Sequence, residues 1–358
     1  MTNIISLNVP PRRARLADRI PALIGCFARH RRIVDDVFWL KENAELLNIL
    51  ECTGQSVTPQ MLAPLADFYD GLAERLTFFP QYYRFLLSIG LDLEDLGMPG
   101  NRMEALCDWV ARQDLAGAEL SDLQRAEARR LLSRRGVVCH ADPGLDDRLR
   151  AFVERSATFA LPNKKAAYEL THIVFYLSEY GRRDPGLSPE ALRSLEYAGI
   201  LAYLDQNMDL LAEICVALRQ SGRVPEALWE DAVRLHLRDH SVMQDNDASL
   251  ADGYHEYLVS LWAVAMMGHD DSGAAVPTGR CVFAPARPRH SALRPISALL
   301  LSFEGAREND WETMRDAVMQ SMPQEAQTVV TAAETSPLFA PFFEIFARSG
   351  AMPPVALH

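Results

Sequence analysis

Six polar side chains recur every three or four residues between Asn163 and Arg183, in the stretch NKKAAYELTHIVFYLSEYGRR. On an α-helix this spacing places them on one face. They are Lys165, Glu169, His172, Tyr176, Glu179 and Arg183. A histidine between a carboxylate and a phenol suits acid–base chemistry, because its pKa lies near neutrality and responds to the carboxylate. The pattern predicts a catalytic trio, with His172 as acid–base, Glu169 orienting it and Tyr176 beside them. The alternative is a solvated helix face carrying ion pairs.

A second polar face follows at once. Asp205, Asp209 and Glu213 are spaced by four residues, so their carboxylates share one side of a helix. Carboxylates are hard oxygen ligands for Mg²⁺ or Mn²⁺, and the three are therefore candidate metal ligands. His255, in the first turn of the apolar stretch 251–268, is a fourth candidate. The alternatives are a solvated acidic face and a hydrogen-bonded structural histidine.

His236 and His240 also have a spacing that suits a transition metal, four residues apart on one helix. The favoured interpretation of this pair is an exposed helix end, where histidine interacts well with the helix dipole.

The elements that must position these residues are helices. Apolar residues recur with helical period, and hydroxyl or amide caps precede several helices, such as Ser121, Ser188 and Asn163. Extended stretches are predicted only at 137–138 and 281–283. The sequence predicts an all-α fold of about fourteen helices in stacked hairpins, arranged as an α/α-toroid or an irregular solenoid. The helices are expected near 13–30, 33–53, 59–75, 80–90, 100–112, 121–135, 145–156, 163–181, 189–204, 205–221, 225–240, 251–268, 293–321 (broken near Arg307) and 324–348 (broken near Thr335).

The chain is expected to divide into four regions. An N-terminal helical region covers 1–140, and a central region with the candidate site covers 141–268. A loop or linker rich in Pro, Gly and Arg covers 269–295, and a C-terminal helical region covers 296–358.

Composition limits the functional classes. The chain has 358 residues, 49% of them hydrophobic, and a formal net charge of −12. An acidic chain lacks the clustered cations that phosphate contacts need, so we expect no nucleic-acid partner. No long apolar stretch predicts a membrane span, and the N-terminal stretch lacks the order of a secretory signal. With six scattered cysteines, these features predict a cytoplasmic protein. Nucleotide-binding loops, zinc-protease motifs and hydrolase nucleophile elbows are absent from the sequence.

One stretch resembles an uncharacterised family of all-helical bacterial proteins with a Tyr-x-Leu-Thr-His-x-x-Phe-Tyr core. The matching residues are Tyr168, Leu170, Thr171, His172, Phe175 and Tyr176, and the stretch Asp209–Leu218 is similar to the helix that follows in such proteins. The resemblance covers about a third of the chain. It implies a helical protein, and an α/α-toroid is one architecture that would fit it. It implies no activity.

Two functions remain open on the sequence. The favoured one is a helical scaffold that binds a small molecule or a protein. The alternative is an enzyme with a His/carboxylate pocket, dependent on a divalent metal, formed where the stretches 163–181, 205–221 and 251–268 meet. The sequence does not decide whether the chain is an enzyme, and it names no other cofactor, substrate or oligomeric state.

Overall fold

The computed structural model describes residues 13–34, 36–138, 142–268, 273–285, 289–303 and 306–349. Helices make up 65% of the structure and strands 4%, which confirms the all-α prediction. The helices are α1 (Leu16–Arg29), α2 (Val37–Cys52), α3 (Pro59–Leu62), α4 (Ala66–Asp70), α5 (Leu72–Phe78), α6 (Tyr83–Asp95), α7 (Arg102–Arg112), α8 (Asp122–Ser133), α9 (Leu145–Val153), α10 (Ser156–Phe159), α11 (Lys164–Leu177), α12 (Pro189–Leu204), α13 (Met208–Gln220), α14 (Ala227–Asp239), α15 (Tyr254–Met266), α16 (Leu293–Ser302), α17 (Trp311–Gln320), α18 (Gln324–Ala333) and α19 (Phe339–Phe346). The strands are β1 (Arg13–Ala14), β2 (Ser241–Gln244), β3 (Gly273–Ala274) and β4 (Cys281–Ala284).

Helix starts follow the capping residues. Asn163 Oδ1 accepts a 3.1 Å hydrogen bond from the amide of Ala166, and Ser188 Oγ accepts one of 3.2 Å from Ala191. Each side chain satisfies an amide that has no partner inside the helix, and this fixes where α11 and α12 begin. Such caps act within three residues, which explains why the sequence located them.

The end of α11 differs from the prediction. The stretch 163–181 was expected to be helical throughout, but α11 ends at Leu177. Glu179, Tyr180 and Gly181 follow with φ values of 49°, 57° and 87°. This left-handed turn removes Glu179 and Arg183 from the helical face predicted for them, although the two still form a 3.2 Å ion pair.

The chain folds into two compact units, each built from two stretches. Unit 1 combines Met1–Leu106 with Arg234–Ala286, and unit 2 combines Cys107–Val233 with Arg287–His358. The four regions expected from the sequence are consecutive along the chain, whereas each unit is discontinuous. Among the described residues, no helix is both long enough and apolar enough to cross a membrane.

In unit 1, α2 packs against α1, α6 and α15, and β2 pairs antiparallel with β4. The strand at 281–284 was partly predicted, but its partner Ser241–Gln244 was not. Only Val242 of that partner strand is buried, so its sequence shows no clear strand pattern.

His236 and His240 correct the expectation of an exposed helix end. Both are buried, with 8% and 1% exposure. The rings lie 4.9 Å apart, and the His240 ring lies 5.5 Å from Tyr257. The chain turns directly from α14 into β2, so the end of α14 is covered by the aromatic side chains of unit 1.

In unit 2, α12 and α13 form a central hairpin. Helix α11 packs on α13 and also contacts α8 and α9, while α18 and α19 cover α12. Most side chains of α13 are buried, including Leu211, Ile214 and Cys215, each fully shielded from solvent. The polar side chains of α11 and α13 are therefore held by a rigid apolar frame.

Candidate functional site

The polar faces predicted on α11 and α13 meet in unit 2. Tyr168 Oη donates a 2.6 Å hydrogen bond to Asp209 Oδ2, and Thr171 Oγ1 donates one of 2.6 Å to Glu213 Oε2. Glu213 is only 2% exposed, whereas Asp209 is half-buried. Burial, with the charge of Asp209 and the hydrogen bond to it, raises the pKa of Tyr168, so the phenol remains a donor. The two carboxylates thus join α13 to α11.

His172 lies on the same face of α11. Its Nδ1 donates a 2.7 Å hydrogen bond to the carbonyl of Tyr168 and lies 3.9 Å from Glu213 Oε2. Because a carbonyl only accepts, the neutral ring carries its proton on Nδ1 and leaves Nε2 as an acceptor. The side chain is 35% exposed.

The other two members of the predicted trio have separate surroundings. Glu169 is half-buried and forms no hydrogen bond or ion pair with the part of the chain that the structure describes. The atom that holds the His172 ring is the Tyr168 carbonyl instead. Tyr176 is 8% exposed, its ring centroid lies 6.1 Å from that of His172, and it lines a cavity.

The predicted metal ligands are distributed over both units. Asp205 accepts a 2.9 Å hydrogen bond from Ser291 and forms a 2.9 Å ion pair with Lys164. His255 belongs to unit 1, where its Nε2 lies 3.7 Å from Glu45 Oε1. Within the described ranges, no group of three or more His, Cys, Asp or Glu side chains is arranged to hold a metal ion.

The cavity that Tyr176 lines has a volume of about 280 Å³. We call it the Arg130 cavity. It lies between the end of α8, the first turn of α9, the end of α11 and the turn that follows. Its polar lining consists of Arg129, Arg130, Ser133, Asp146, Tyr176, Glu179 and Arg183.

Arg130 is the most unusual of these residues. It is 6% exposed, and its Nε and Nη1 atoms are buried without a hydrogen-bond partner among the residues that the structure describes. Its guanidinium carbon lies 4.5 Å from the ring centroid of Tyr180 and 5.9 Å from that of Tyr176. These cation–π contacts and the carboxyl end of α8 favour a positive charge here. They leave two donor nitrogens without an acceptor among the described residues, which is a costly arrangement in a buried site.

Tyr180 reaches Arg130 because of the turn after α11. Tyr180 and Glu179 both have positive φ, a conformation that residues with a Cβ rarely adopt. Residues held in such conformations are concentrated at binding and active sites, where neighbouring structure supports them. Here the turn places the Tyr180 ring over Arg130 and Glu179 in the cavity wall.

A larger cavity adjoins this one. It measures about 630 Å³ and shares Arg129 and Ser133 with the Arg130 cavity. We call it the Val138 cavity, because Val138, which is 88% exposed, lies in its wall. Its apolar lining consists of Ala116, Val137, Val138, Pro143 and Leu145.

Comparison with known proteins supplies a family. Residues 1–349 match the family described as Domain of unknown function (DUF6902). The chain belongs to this family. No curated protein and no solved structure matches the chain. Membership in this DUF6902 family agrees with the expected resemblance to an uncharacterised family, and it adds no activity, substrate or partner.

Sequence reasoning missed the cationic part of the cavity. Tyr176 and Arg183 were singled out, but Arg129 and Arg130 of α8 were not. A pair of arginines near the end of a helix is ordinary, because it suits the helix dipole. Its burial and its tertiary contacts with Tyr176 and Tyr180 distinguish Arg130, and no local spacing encodes those contacts.

Proposed function

We propose that the protein is a non-catalytic helical protein that binds a small molecule in the Arg130 cavity of unit 2. One observation carries this proposal. Arg130 is almost completely buried at the wall of a cavity, yet two of its donors have no acceptor among the described residues. A buried charged group is stable when it is paired and hydrogen-bonded, and a bound ligand would supply the missing acceptors.

The contacts of α11 and α13 favour binding over catalysis. Asp209 and Glu213 accept hydrogen bonds from Tyr168 and Thr171, so these carboxylates are engaged in helix packing. His172 is fixed by a backbone carbonyl and does not line the Arg130 cavity. A general base needs to reach the proton that it removes, either directly or through one water molecule.

One observation supports the enzyme as a second candidate. Tyr176 lines the Arg130 cavity and its ring contacts that of His172 at 6.1 Å between centroids. A ligand in the cavity would then contact Tyr176, and Tyr176 would lie between the ligand and His172. In this version His172 Nε2, the free acceptor of the neutral ring, would take the proton, and Tyr176 would connect it to the substrate.

A thermal-shift screen distinguishes the two candidate functions. The panel contains small carboxylates, phosphates, amines and neutral sugars, tested on the full chain and on Arg130→Met. We expect at least one compound to raise the Tm of the parent protein and to lose this effect in Arg130→Met. Arg219→Met is the matched control, because Arg219 is a partly buried arginine of unit 2 that is paired with Glu230 and does not line the cavity.

The outcomes are distinct. If no compound raises the Tm, or if the shifts persist in Arg130→Met, the proposed binding function is wrong. If a compound binds and is chemically converted by the parent protein but not by His172→Gln, the protein is an enzyme and the non-catalytic proposal is wrong. Binding without conversion supports the proposal as stated.

A further inference from the structure

The charges around the Arg130 cavity do not balance. The lining contains three arginines, Arg129, Arg130 and Arg183, and two acids, Asp146 and Glu179. Arg129 forms a close ion pair with Asp146, and Arg183 pairs with Glu179 at 3.2 Å. Arg130 is the cation left over, so the lining has a surplus of one positive charge in a chain whose net charge is −12. A ligand with one negative charge would neutralise it.

The geometry of Arg130 narrows the chemistry of that ligand. Tyr180 stacks against the guanidinium at 4.5 Å, so recognition through that face is already taken. The unsatisfied atoms, Nε and Nη1, donate in the plane of the guanidinium but point to different edges of it. A carboxylate oxygen that approaches in this plane is a charged acceptor that suits either atom. A phosphate monoester carries nearly two negative charges, which exceeds the single positive charge that the cavity lining has in surplus.

The adjoining Val138 cavity indicates what the rest of the ligand is. It meets the Arg130 cavity at Arg129 and Ser133. Beyond them its wall combines the five apolar residues with three charged ones, Asp114, Arg125 and Asp142. Leu145 is buried there, while Val138 is exposed at 88%. An exposed apolar side chain beside an open cavity would be covered by an apolar part of a ligand.

We propose that the ligand is an organic monocarboxylate, with its carboxylate on Arg130 and its apolar body in the Val138 cavity. This inference rests on the proposed binding function and adds the ligand class and its orientation. The head of the ligand is selected by charge and planarity, and the body is selected by apolar contact. No covalent step is involved.

Isothermal titration calorimetry with hexanoate, hexanamide, acetate and inorganic phosphate tests the inference on the full chain. We expect hexanoate to bind at least about tenfold more tightly than hexanamide, which has the same body without the charge. Arg130→Met should reduce hexanoate affinity at least about tenfold, and Arg130→Lys should restore only part of it, because lysine lacks the planar fork. Arg219→Met should bind as the parent protein does.

The proposed orientation of the ligand is tested at its apolar end, in the Val138 cavity. Val138→Asp alters an exposed side chain, so the fold should be preserved. We expect it to weaken hexanoate about tenfold while leaving acetate unchanged, because acetate does not reach the Val138 cavity. Circular dichroism and the Tm of each variant confirm that a loss of binding is not a loss of fold.

Each failure has its own meaning. If phosphate binds in an Arg130-dependent manner and hexanoate does not, the carboxylate class is wrong and the binding function stands. If hexanamide binds as well as hexanoate, or if Arg130→Met binds hexanoate normally, Arg130 is not the carboxylate partner and the inference is overturned. If Val138→Asp has no effect on hexanoate, the assigned orientation is wrong.

Discussion

At the scale of single residues, Glu213 and Asp209 differ in their burial and in their hydrogen-bond donors. Glu213 is buried and accepts a hydrogen bond from Thr171, whereas Asp209 is half-buried and accepts one from Tyr168. The raised pKa of Tyr168, caused first by burial and then by Asp209, keeps that donor protonated through the neutral range. These bonds give polar residues of α11 and α13 a packing role that is independent of any ligand.

Thr171→Val tests this packing role. Valine has nearly the same shape but no hydroxyl, so the buried Glu213 carboxylate loses a donor. We expect the free energy of unfolding to fall by about 1–3 kcal/mol, the usual cost of leaving a buried polar group unsatisfied. Thr171→Ser keeps the hydroxyl and should cost less. Urea denaturation of both variants gives the comparison, and equal losses would contradict the role assigned to the hydroxyl.

His172→Ala addresses the histidine directly. The side chain is 35% exposed and its hydrogen bond is to a backbone carbonyl of its own helix. We expect unfolding to become easier by no more than about 1 kcal/mol, because water can replace that bond. Binding of hexanoate should be unchanged, as His172 does not line the cavity. A variant of normal stability that no longer binds hexanoate would instead return His172 to the functional site.

At the scale of elements, the sequence located what depends on near neighbours. The starts of α11 and α12 follow from Asn163 and Ser188, whose caps act within three residues, and the breaks near Arg307 and Thr335 were also predicted correctly. The β2 strand and the left-handed turn at Tyr180 were missed. The strand depends on a distant partner, β4. The turn is held by local hydrogen bonds, such as that from the Tyr180 amide to the Phe175 carbonyl, but it places non-glycine residues at positive φ, which the sequence did not signal. The Arg130 cavity was missed because the contact between Arg130 and Tyr180 is distant in sequence, although Tyr176 and Arg183 in its wall had been noted.

Helix packing gives a prediction in which one substitution has opposite effects at two sites. An added Cβ on Gly199 of α12 would lie 2.5 Å from the buried ring of Trp229, whereas one on Gly25 of α1 would meet nothing within 4 Å. Gly199→Ala should destabilise by about 1–3 kcal/mol through overpacking. Gly25→Ala should stabilise by up to about 1 kcal/mol, because alanine is the better helix former. Thermal or urea unfolding measures both. Stabilisation by Gly199→Ala would show that packing around Gly199 is looser than described, and destabilisation by Gly25→Ala would contradict the open space at Gly25.

At the scale of the whole molecule, carboxyl groups paired with arginines make the fold sensitive to acid. Arg148 holds the pKa of Asp122 and Asp142 below the ordinary value, and Arg315 does the same for Glu334. A carboxyl group with a lowered pKa in the folded state stabilises the fold above its unfolded pKa. It loses that contribution as the pH falls through its folded pKa. Stability should therefore decline below about pH 4.5, the ordinary value for Glu334.

Glu334 allows this acid response to be attributed to one side chain. Its carboxylate accepts two hydrogen bonds from Arg315, of 2.8 and 2.7 Å, and one of 3.0 Å from the Trp311 indole, which tie the end of α18 to α17. Glu334→Gln should lower the free energy of unfolding by about 1 kcal/mol near neutral pH. The difference from the parent protein should shrink as the pH falls through the folded pKa of Glu334, because the parent side chain is then protonated as well.

Glu196→Gln is expected to change the free energy of unfolding in the opposite direction. Burial raises the pKa of Glu196 above its ordinary 4.5, so its ionised form is disfavoured in the folded state, and it weakens the fold at neutral pH. Removing the charge should raise stability near pH 7, and this gain should disappear as the pH falls through the raised pKa. Urea denaturation of the parent protein and both variants from about pH 7 to about pH 3 measures the two differences. Curves that run parallel to the parent over the whole range would mean that neither carboxyl group titrates differently in the folded and unfolded states. The acid sensitivity would then have to come from other carboxyl groups, such as Asp122 and Asp142, or from the net charge of −12 being replaced by a net positive charge.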